Sequence, residues 1–581
     1  MRIKHFFGLA VIAAMTASCS SNNDLVNGGN GSGENESGAS YASFSINLPT
    51  RSGTRATDLT FDKGNTKEYD VFNATLLVFK EGTTAGEGNY TLAEKVDLGS
   101  MEPWKDPSET GVTTQAKITA KLEKVDKKSK FFALVLLNNG STSAEAKVNL
   151  PAEGTTFSAW NKADNANYTN FTDTKKGFYM ANAPLYNATD KSVTTLVAID
   201  KNKIFPTEAQ ASSGEAAADI YVERGLAKVT LTAATKDKKT VDASSSYAGD
   251  EVTINNWALD VTNKKTFPIH NVDGLTTDYA EIWNNDAPAA ATPSTPSTPS
   301  TQRFVDNSKA IAKRVYWGTD PNYKETNLSA ETPESKKART ENFNYIKKEN
   351  LTADPKDPLY CCENTFNLAN MVQGQTTRVI FKASYTPKGF TAADGKTFFK
   401  VGTSVALWKK KDLENHIKAA VTKVISGATT DNTTIDLAAK GNDITAAGNH
   451  EIKAANITVT GHVVTPEEEK AVNDKVGLTK NAGISTYAEG ESYYIARIKH
   501  FGDALTPWNS DAYGNDNLAY LGRYGMLRNN WYELDVEKVS GPGYPDVPDV
   551  KPSTPDDEDD QYIKVSVKIL DWAKRSQSVD L

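Results

Sequence analysis

Apolar and polar residues alternate in a short stretch near the start of the chain. Residues 41–55 read YASFSINLPTRSGTR, and the apolar positions of this stretch are Ala42, Phe44, Ile46 and Leu48. Small polar residues stand between them, and a period of two predicts a β-strand with one buried face. Arg51 and Arg55 follow among Pro, Thr, Ser and Gly. The sequence therefore predicts a core strand tied to the rest of the chain by a flexible, trypsin-sensitive segment.

A matching alternation stands at the other end of the chain. Residues 562–572 read YIKVSVKILDW, with apolar positions at Ile563, Val565, Val567 and Ile569. The preceding residues 540–561 contain five prolines and seven acidic residues. Such a linker is expected to be extended, with a reach on the order of 60 Å at ~3.1 Å per residue. We expect it to carry the last strand away from its own domain; the alternative is an ordinary last strand folded back on that domain.

Between these two strands the pattern predicts mostly β structure. Continuous apolar runs indicate central strands, and alternating runs indicate half-buried ones. The predicted strands cover residues 70–80, 131–137, 220–232, 252–268, 376–386, 398–407, 492–503 and 531–539. We interpret residues 220–232 as the last strand of a first domain and residues 252–268 as the opening strand and turn of a second. Residues 413–425 carry apolar positions at helical spacing and predict the one clear amphipathic helix.

Residues 287–302, read APAAATPSTPSTPSTQ, form a low-complexity segment with Pro at every third position through the repeat. This composition predicts an extended, solvated segment that buries no core. It has the composition of a linker between domains, but we interpret it as a long surface loop inside the second domain.

Composition sets limits on the class of protein. A chain of 581 residues is long enough for two domains, and its net charge of −8 argues against binding to nucleic acid. The sequence contains no HExxH, GxSxG, P-loop or strand-to-helix GxGxxG motif. Its six histidines are scattered, and the nearest approach to a catalytic pair is His500 with Asp503. We therefore predict no enzyme activity, no metal site and no cofactor.

The first nineteen residues have the pattern of a secretory signal. Arg2 and Lys4 precede an apolar run over residues 6–15, and small residues lead to Cys19. This ending is similar to the lipobox of bacterial lipoproteins, although Thr16 stands where Leu is usual. We expect Cys19 to be acylated, with an ordinary signal peptide as the alternative. The other two cysteines, Cys361 and Cys362, are adjacent and predict buried free thiols, because neighbouring cysteines seldom pair.

Several of these segments together resemble one family. The segments are the lipobox-like Cys19, the early strand with its arginines, the run RNNWY at 528–532 followed by Gly-Pro-Gly at 541–543, and the ending KVSVKILDWAKRSQSVDL. The runs YVERGLAKVTL and YCCENTF at 360–366 are further similarities. In these features the chain resembles the shaft-forming fimbrilins of type V pili in the Bacteroidales, and among them the subunits of the minor fimbrium.

The resemblance implies a mainly β fold with two tandem transthyretin-like β-sandwich domains and a C-terminal donor strand on an extended linker. The implied divisions are a lipoprotein signal peptide (1–19), a tether and cleavable strand (20–55), a first sandwich (56–240), a second sandwich (241–539) containing the loop 287–302, a linker (540–561) and a donor strand (562–581).

The resemblance also implies an assembly route. The precursor reaches the outer membrane surface as a lipoprotein, and an arginine-specific, trypsin-like protease cuts it after Arg55, leaving Ala56 as the new N-terminus; Arg51 is the alternative site. The displaced strand is Ala42–Leu48, and the donor strand of another copy fills its groove. The implied partners are copies of the chain itself, anchor and tip subunits, and the protease. The mature form belongs to an extracellular fimbrium that supports adhesion and biofilm formation, through an unknown host or bacterial ligand.

Three alternatives remain open at this point. The chain resembles a tip or anchor fimbrilin in many of the same features, and a surface glycan-binding lipoprotein is also secreted, acylated and rich in β structure. Arg51 and Arg55 are compatible with plain surface charges. A cleavable strand together with a terminal strand on a long linker favours the shaft subunit.

Overall fold

The computed structural model describes residues 40–48, 68–101, 114–286, 290–292, 295–305, 313–326, 328–479, 482–509, 517–555 and 563–571. Cys19, Arg51, Arg55 and Ala56 lie outside these residues. The fold is mainly β, as the sequence predicts.

The strands of the first half are β1 (Ser40–Leu48), β2 (Ala74–Lys80), β3 (Thr91–Gly99), β4 (Thr114–Leu122), β5 (Phe131–Leu137), β6 (Met180–Asn182), β7 (Leu185–Asn187), β8 (Ser192–Thr194), β9 (Val197–Ala198), β10 (Ala218–Arg224), β11 (Leu226–Leu231), β12 (Lys239–Thr240), β13 (Glu251–Asp260) and β14 (Thr262–Asn263). Those of the second half are β15 (Lys313–Arg314), β16 (Phe343–Asn344), β17 (Leu359–Cys362), β18 (Arg378–Thr386), β19 (Phe398–Val401), β20 (Leu407–Trp408), β21 (Thr433–Ile435), β22 (Gly448–His450), β23 (Ile457–Val459), β24 (Ile484–Tyr487), β25 (Glu491–Arg497), β26 (Asn530–Val539) and β27 (Ile563–Asp571).

The helices are short, with three exceptions. They are α1 (Phe157–Trp160), α2 (Tyr168–Phe171), α3 (Glu208–Ser213), α4 (Leu275–Asp278), α5 (Ala280–Trp283), α6 (Pro333–Asn342), α7 (Lys410–Val424), α8 (Pro466–Val476) and α9 (Gly502–Leu505). The long helix α7 confirms the predicted amphipathic segment, because its apolar positions, Leu413 and Ile417 among them, are buried. Among the described residues, no helix has the length and apolar character needed to cross a membrane.

The N-terminal half forms one curled sheet in the order β3-β2-β5-β6-β10-β1-β4, with β9 beside β5. Its edge strands, β3 and β4, approach each other. The Glu94 carboxylate of β3 accepts hydrogen bonds from the backbone N–H groups of Glu123 and Lys124, just after β4, at 2.8 and 3.2 Å. The sheet encloses an apolar core to which β1, β2, β4, β5 and β10 all contribute. Strand β1 therefore lies in the interior of this sheet, between β10 and the edge strand β4.

The second sandwich consists of two four-stranded sheets packed face to face, β17-β11-β26-β27 and β12-β13-β18-β25. The chain between β19 and β24 forms a separate lobe around α7 and α8 with an apolar core of its own. Helix α8 was not predicted from the sequence, although Thr465 and Glu468 form a capping box at its start.

One predicted strand is wrong in its extent. Residues 220–232 were expected to be a single strand ending the first domain, but β10 belongs to the first sheet and β11 to the second sandwich. The chain changes sheets at Gly225, where an added Cβ would lie 2.5 Å from the ring of Phe171. Only glycine fits that close approach, and the chain passes from the first sheet into the second sandwich at this residue.

The expectation that residues 287–302 are fully solvated is also wrong. Ser297, Ser300 and Thr301 are buried. The Ser297 backbone N–H donates to the Leu505 carbonyl oxygen at 2.9 Å, and the Thr301 hydroxyl donates to the Trp283 carbonyl oxygen at 2.9 Å. Composition alone did not predict these contacts, because Ser and Thr side chains can be buried when their hydroxyls bond to carbonyl oxygens of another segment.

Candidate strand-exchange site

Strand β1 lies between two strands that run in opposite directions. It pairs antiparallel with β4 along its whole length, from Ser40 opposite Leu122 to Leu48 opposite Thr114. On its other side, Phe44 to Asn47 pair in parallel with Ala218 to Tyr221 of β10. Any strand seated here is therefore antiparallel to one neighbour and parallel to the other, whichever way it enters.

The apolar face of β1 is part of the first core, which confirms the predicted strand and its inward residues. Ala42, Phe44 and Ile46 are 0% exposed and Leu48 is 1% exposed. Burial of a large apolar side chain contributes roughly 1.5–3 kcal/mol, so Phe44, Ile46 and Leu48 together contribute a sizeable share of the stability of this sandwich. Without β1, the core opens between β4 and β10.

The polar face of β1 is also covered, whereas the alternation predicts one buried face only. Ser43 is 0% exposed because α3 lies across it. The Ser43 hydroxyl donates to the Ala211 carbonyl oxygen of α3 at 2.6 Å and lies 2.8 Å from the Thr119 hydroxyl of β4. The amide of Asn47 donates to the Ile220 carbonyl oxygen of β10 at 3.3 Å. Thus β1 is an interior strand on both faces.

Glu68, the first described residue after β1, is fastened at the junction of the first sheet and the second sandwich. Its carboxylate lies 2.9 Å from the Lys228 ammonium of β11 and accepts a hydrogen bond from the Tyr360 hydroxyl at 2.6 Å. The Arg224 guanidinium donates to the Glu68 carbonyl oxygen at 2.8 Å. Burial lowers the pKa of Arg224 to about 10, which still leaves it charged at neutral pH. The entry into β2 is therefore held independently of β1.

Breaking this anchor should destabilise the protein strongly. Lys228 and Glu68 are 5% and 1% exposed in their side chains, so Lys228→Met leaves a buried carboxylate without its cation. We expect the free energy of unfolding, measured by chemical denaturation, to fall by about 3–5 kcal/mol. The control is Lys121→Met, which breaks an exposed pair with Glu123 and should change stability by about 1 kcal/mol or less. Similar losses in both variants would contradict the anchoring role.

A second buried cluster of charges spans the junction. His270 Nδ1 lies 2.6 Å from the Glu223 carboxylate at the end of β10, and Arg314 lies 3.2 Å from the same group. Arg528 pairs with Glu363 at 3.3 Å. Burial alone would raise the pKa of Glu223, but His270 and the two arginines hold it below its usual range. These pairs fix the first sheet to the second sandwich.

The motif RNNWY forms the turn into β26 at this junction. Asn529 adopts a left-handed conformation with φ of 57°, which Asn tolerates better than most residues. Its side-chain oxygen accepts from the Arg224 N–H at 3.0 Å, and its own N–H donates to Leu226 at 2.8 Å. Trp531 donates to the Thr230 hydroxyl at 2.7 Å. The motif thus braces the β10–β11 crossover.

The C-terminal strand folds back on its own sandwich in this structure. β27 pairs antiparallel with β26, and Ile563, Val565, Val567 and Ile569 stand opposite Val539, Val536, Leu534 and Tyr532. Val565 and Val567 are half-buried against the second core. The expectation that this strand stands away from its parent domain is therefore wrong for the chain by itself. As the last strand of its sheet, β27 has one neighbour and β1 has two.

The described part of the linker also lies along the second sandwich, whereas a freely extended segment was expected. The Tyr494 and Tyr487 hydroxyls donate to the carbonyl oxygens of Gly541 and Gly543 at 2.9 and 2.8 Å. Further along, Arg378 donates to the Pro548 carbonyl oxygen at 2.9 Å. Since β26 ends at Val539 opposite Ile563, residues 540–562 form a long excursion between two adjacent antiparallel strands. A tight turn of two residues suffices for such a pair.

The remaining candidate residues have structural surroundings. Cys361 and Cys362 are buried and free, as predicted, and burial raises the pKa of Cys362 to about 12. His500 lies 3.0 Å from the Tyr532 hydroxyl, and Asp503 pairs with Arg523 at 2.6 Å. Within the described residues, no three His, Cys, Asp or Glu side chains form a group that suits a metal ion.

Comparison with known families bears on the end of the chain. Residues 485–578 match the family model described as "Major fimbrial subunit protein type IV, Fimbrillin, C-terminal". This part of the chain is fimbrillin-like, and the match supports a protein of the fimbrillin family. The fimbrillin-like region includes β25, β26 and β27 and the RNNWY turn. A search of curated proteins finds no match to the chain.

Sequence reasoning found both strands of the site, gave the pairing of β27 with its own domain only as an alternative, and missed two further parts. The cover provided by α3 and the Glu68 anchor depend on contacts between segments far apart in the sequence. The only local signal for α3 is Thr207, whose hydroxyl accepts from the Gln210 N–H as an N-cap.

Proposed function

We propose that this chain is the structural shaft subunit of a cell-surface fimbria and polymerises by protease-triggered donor-strand exchange. On this proposal the precursor is acylated at Cys19, reaches the outer membrane surface and is cut after Arg55, or after Arg51. The released segment includes β1, and residues 563–571 of another copy take its place between β4 and β10. The mature form belongs to the extracellular fimbrium, which supports adhesion and biofilm formation.

The observation that carries the proposal is that β1 lies in the interior of its sheet, whereas β27 lies at the edge of its own. β1 fills the interior of a sheet, with an apolar face in the core, and both arginines lie in the sequence between it and Glu68. β27 has similar alternation, lies at the edge of its sheet and follows a connection much longer than its pairing requires. The fimbrillin-like match, which covers β27, supports a fimbrial role for this end of the chain.

The direction of exchange follows from this difference. A strand of nine residues that leaves β26 gives up one ladder, and on entering the groove it gains two neighbours. Each additional backbone hydrogen bond contributes about 0.5–1.5 kcal/mol net. The loss of translational and rotational freedom opposes association. While β1 occupies the groove, its covalent attachment gives it an advantage over any external strand, so the uncut strand prevents premature polymerisation.

The long connection makes the exchange compatible with a folded second sandwich. Residues 540–555 are fastened through backbone carbonyls, and Tyr544, Val547 and Val550 pack against two small apolar clusters. Detachment of this segment gives up those contacts but opens neither of the two main cores. Release of β27 leaves the sheet β17-β11-β26, with β26 as its new edge. The partners of the proposed fibre are copies of this chain in the shaft, anchor and tip subunits at its ends, and an arginine-specific protease.

The other functions considered require fewer of these features. A tip subunit has no need to donate a strand, an anchor has no need to be cut, and a glycan-binding lipoprotein needs neither step. A shaft subunit requires a removable interior strand together with a terminal strand that is able to leave.

Removing the cleavage site should abolish polymerisation. We expect the double variant Arg51→Ala with Arg55→Ala to remain a monomer after treatment with an arginine-specific protease, because β1 still occupies the groove. The wild-type precursor should give a product that begins at Ala56 and a ladder resistant to SDS. Gel electrophoresis and N-terminal sequencing measure both outcomes. The control is Lys121→Ala, which removes an exposed cation outside the segment. Normal ladders from the double variant would overturn the proposal.

A further inference from the structure

The polar face of the β1 groove is sealed at one position and borders a surface depression at the next. Position 43 is sealed, because the Ser43 hydroxyl is enclosed by α3 and Thr119 and is 0% exposed. Tyr41, two residues earlier, is only half-buried. Two residues later, Ser45 borders an open depression that is also lined by Lys117, Lys203, Glu215, Ala216 and Asp219. Ser45 is itself 5% exposed, so a long side chain at position 45 has to extend into this depression, whereas position 43 has no such outlet.

Helix α3, which covers position 43, is held in place by β4 as well as by β1. Lys117 of β4 donates to the Ser212 carbonyl oxygen of α3 at 2.9 Å and also to that of Gly214. The hydroxyls of Thr119 and Ser212 lie 2.9 Å apart. Because α3 is fastened to β4 by these contacts, removal of β1 leaves the cover in place and position 43 remains narrow.

The corresponding face of the C-terminal strand has one small residue between two lysines, in the order Lys564, Ser566, Lys568. If Ser566 replaced Ser45, a lysine would fall at position 43 in either direction of the strand. That lysine would be buried without an acceptor that carries charge, which is strongly unfavourable. If Ser566 replaces Ser43, the lysines fall at positions 41 and 45 in either direction.

The charges around position 45 are mixed and do not by themselves choose between the two arrangements. Asp219 of β10 stands opposite Ser45 on one side and Lys117 of β4 on the other. Glu215 lines the same depression and already pairs with Lys203 at 3.0 Å. On the inner face of the second arrangement, Ile563, Val565, Val567 and Ile569 occupy positions 40, 42, 44 and 46, in forward or reverse order. Position 48 receives Asp571 or Gln561 in place of the buried Leu48, which is the cost of this arrangement at the last residue of the groove.

We propose that this face of the groove sets the register of the entering strand, with Ser566 of a second copy in the position of Ser43 and its lysines at positions 41 and 45. The inference rests on the proposed strand exchange and adds to it the alignment of the two copies. The sealed position under α3 admits only a small side chain, and the lysine at position 45 extends into the depression beside Asp219.

Pairs of engineered cysteines in purified fibres test the register. Thr119 stands opposite position 43 and Lys117 opposite position 45, and opposite residues in a sheet are within disulfide range. We expect Ser566→Cys with Thr119→Cys to give a covalent ladder on non-reducing gels after mild oxidation, and Ser566→Cys with Lys117→Cys to give none. Each single cysteine variant serves as the background control.

The outcomes separate the register from the exchange itself. A ladder from the Lys117 pair alone would overturn the register and leave strand exchange standing. Fibres that form from both double variants without any ladder would also overturn the register, whereas normal fibres from a chain that lacks residues 562–581 would reject strand exchange itself. As a second measurement, Ser566→Lys should slow polymerisation by more than about tenfold. Ser578→Lys, the same change beyond β27, is its control, and equal rates in the two variants would also overturn the register.

Discussion

Deletion of residues 562–581 should give a precursor that folds and is cut but does not polymerise. β27 is an edge strand that covers only part of the second core through Val565 and Val567, so the three remaining strands of its sheet still face β13, β18 and β25. The first sandwich keeps β1 and its arginine segment. After cleavage, the open groove has no donor strand to receive. Size-exclusion chromatography and electron microscopy of the protease-treated chain measure the result.

A shorter deletion provides the matched control. Removal of residues 573–581 retains all of β27, so this variant should form fibres as the full chain does. Fibres of normal length from the chain that lacks residues 562–581 would show that another segment joins the subunits. In that case residues 563–569 would serve only as a strand of the second sandwich.

The second large effect concerns Phe44, and it should be confined to the precursor. Phe44 is 0% exposed and stands between Ile118 and Ala218 on the neighbouring strands. Phe44→Ala removes a buried ring from the first core, and we expect the free energy of unfolding of the uncut chain to fall by about 3–5 kcal/mol. Chemical denaturation of the precursor measures this change. Fibres assembled from the variant should match wild-type fibres in stability, because residue 44 is absent from both.

Ser45→Ala is the control on the same strand. Its hydroxyl accepts from the Asn47 amide at 3.4 Å, and its loss should change stability by about 1 kcal/mol. A precursor whose stability is insensitive to Phe44→Ala would contradict the interior position of β1. Fibres weakened by Phe44→Ala would show that β1 is retained after assembly.

The alternation of residues near the two ends predicted the strands of the candidate site correctly. A period of two is local information, and it places Ala42, Phe44 and Ile46 on one face whatever lies on the other. The structure confirms those side chains as core. The match to the fimbrillin C-terminal model likewise covers the RNNWY turn and the last strand, two of the segments that gave the resemblance in the first place.

The parts that sequence reasoning missed all depend on distant segments. Ser43 has the polarity of a solvent-facing residue, yet α3, more than a hundred and fifty residues later, covers it. Residues 220–232 have the composition of one strand, and the rings of Phe171 and Tyr179 crowd Gly225 where it divides. No local pattern distinguishes a terminal strand that pairs with its own domain from one that pairs with a neighbour, because the alternation required is the same.

The precursor and the proposed fibre differ in the strand that lies between β4 and β10. In the precursor, every strand is paired within the chain and the charged clusters around Glu68 and Glu223 fix the two sandwiches together. The ion pairs Glu68–Lys228, Glu223–His270 and Glu223–Arg314 of these clusters join residues outside β1. The loss of β1 is therefore expected to leave the junction of the sandwiches intact, as a repeating unit requires.

The most direct test of the central claim is a cryo-electron microscopy map of fibres grown from the cut protein, with side chains resolved between β4 and β10. The account predicts that the strand in this slot is residues 563–571 and that its density continues through residues 540–562 into the second sandwich of the adjacent subunit. Density that reads as Ser40–Leu48 in the slot, with β27 still paired to β26 of the same subunit, would contradict it.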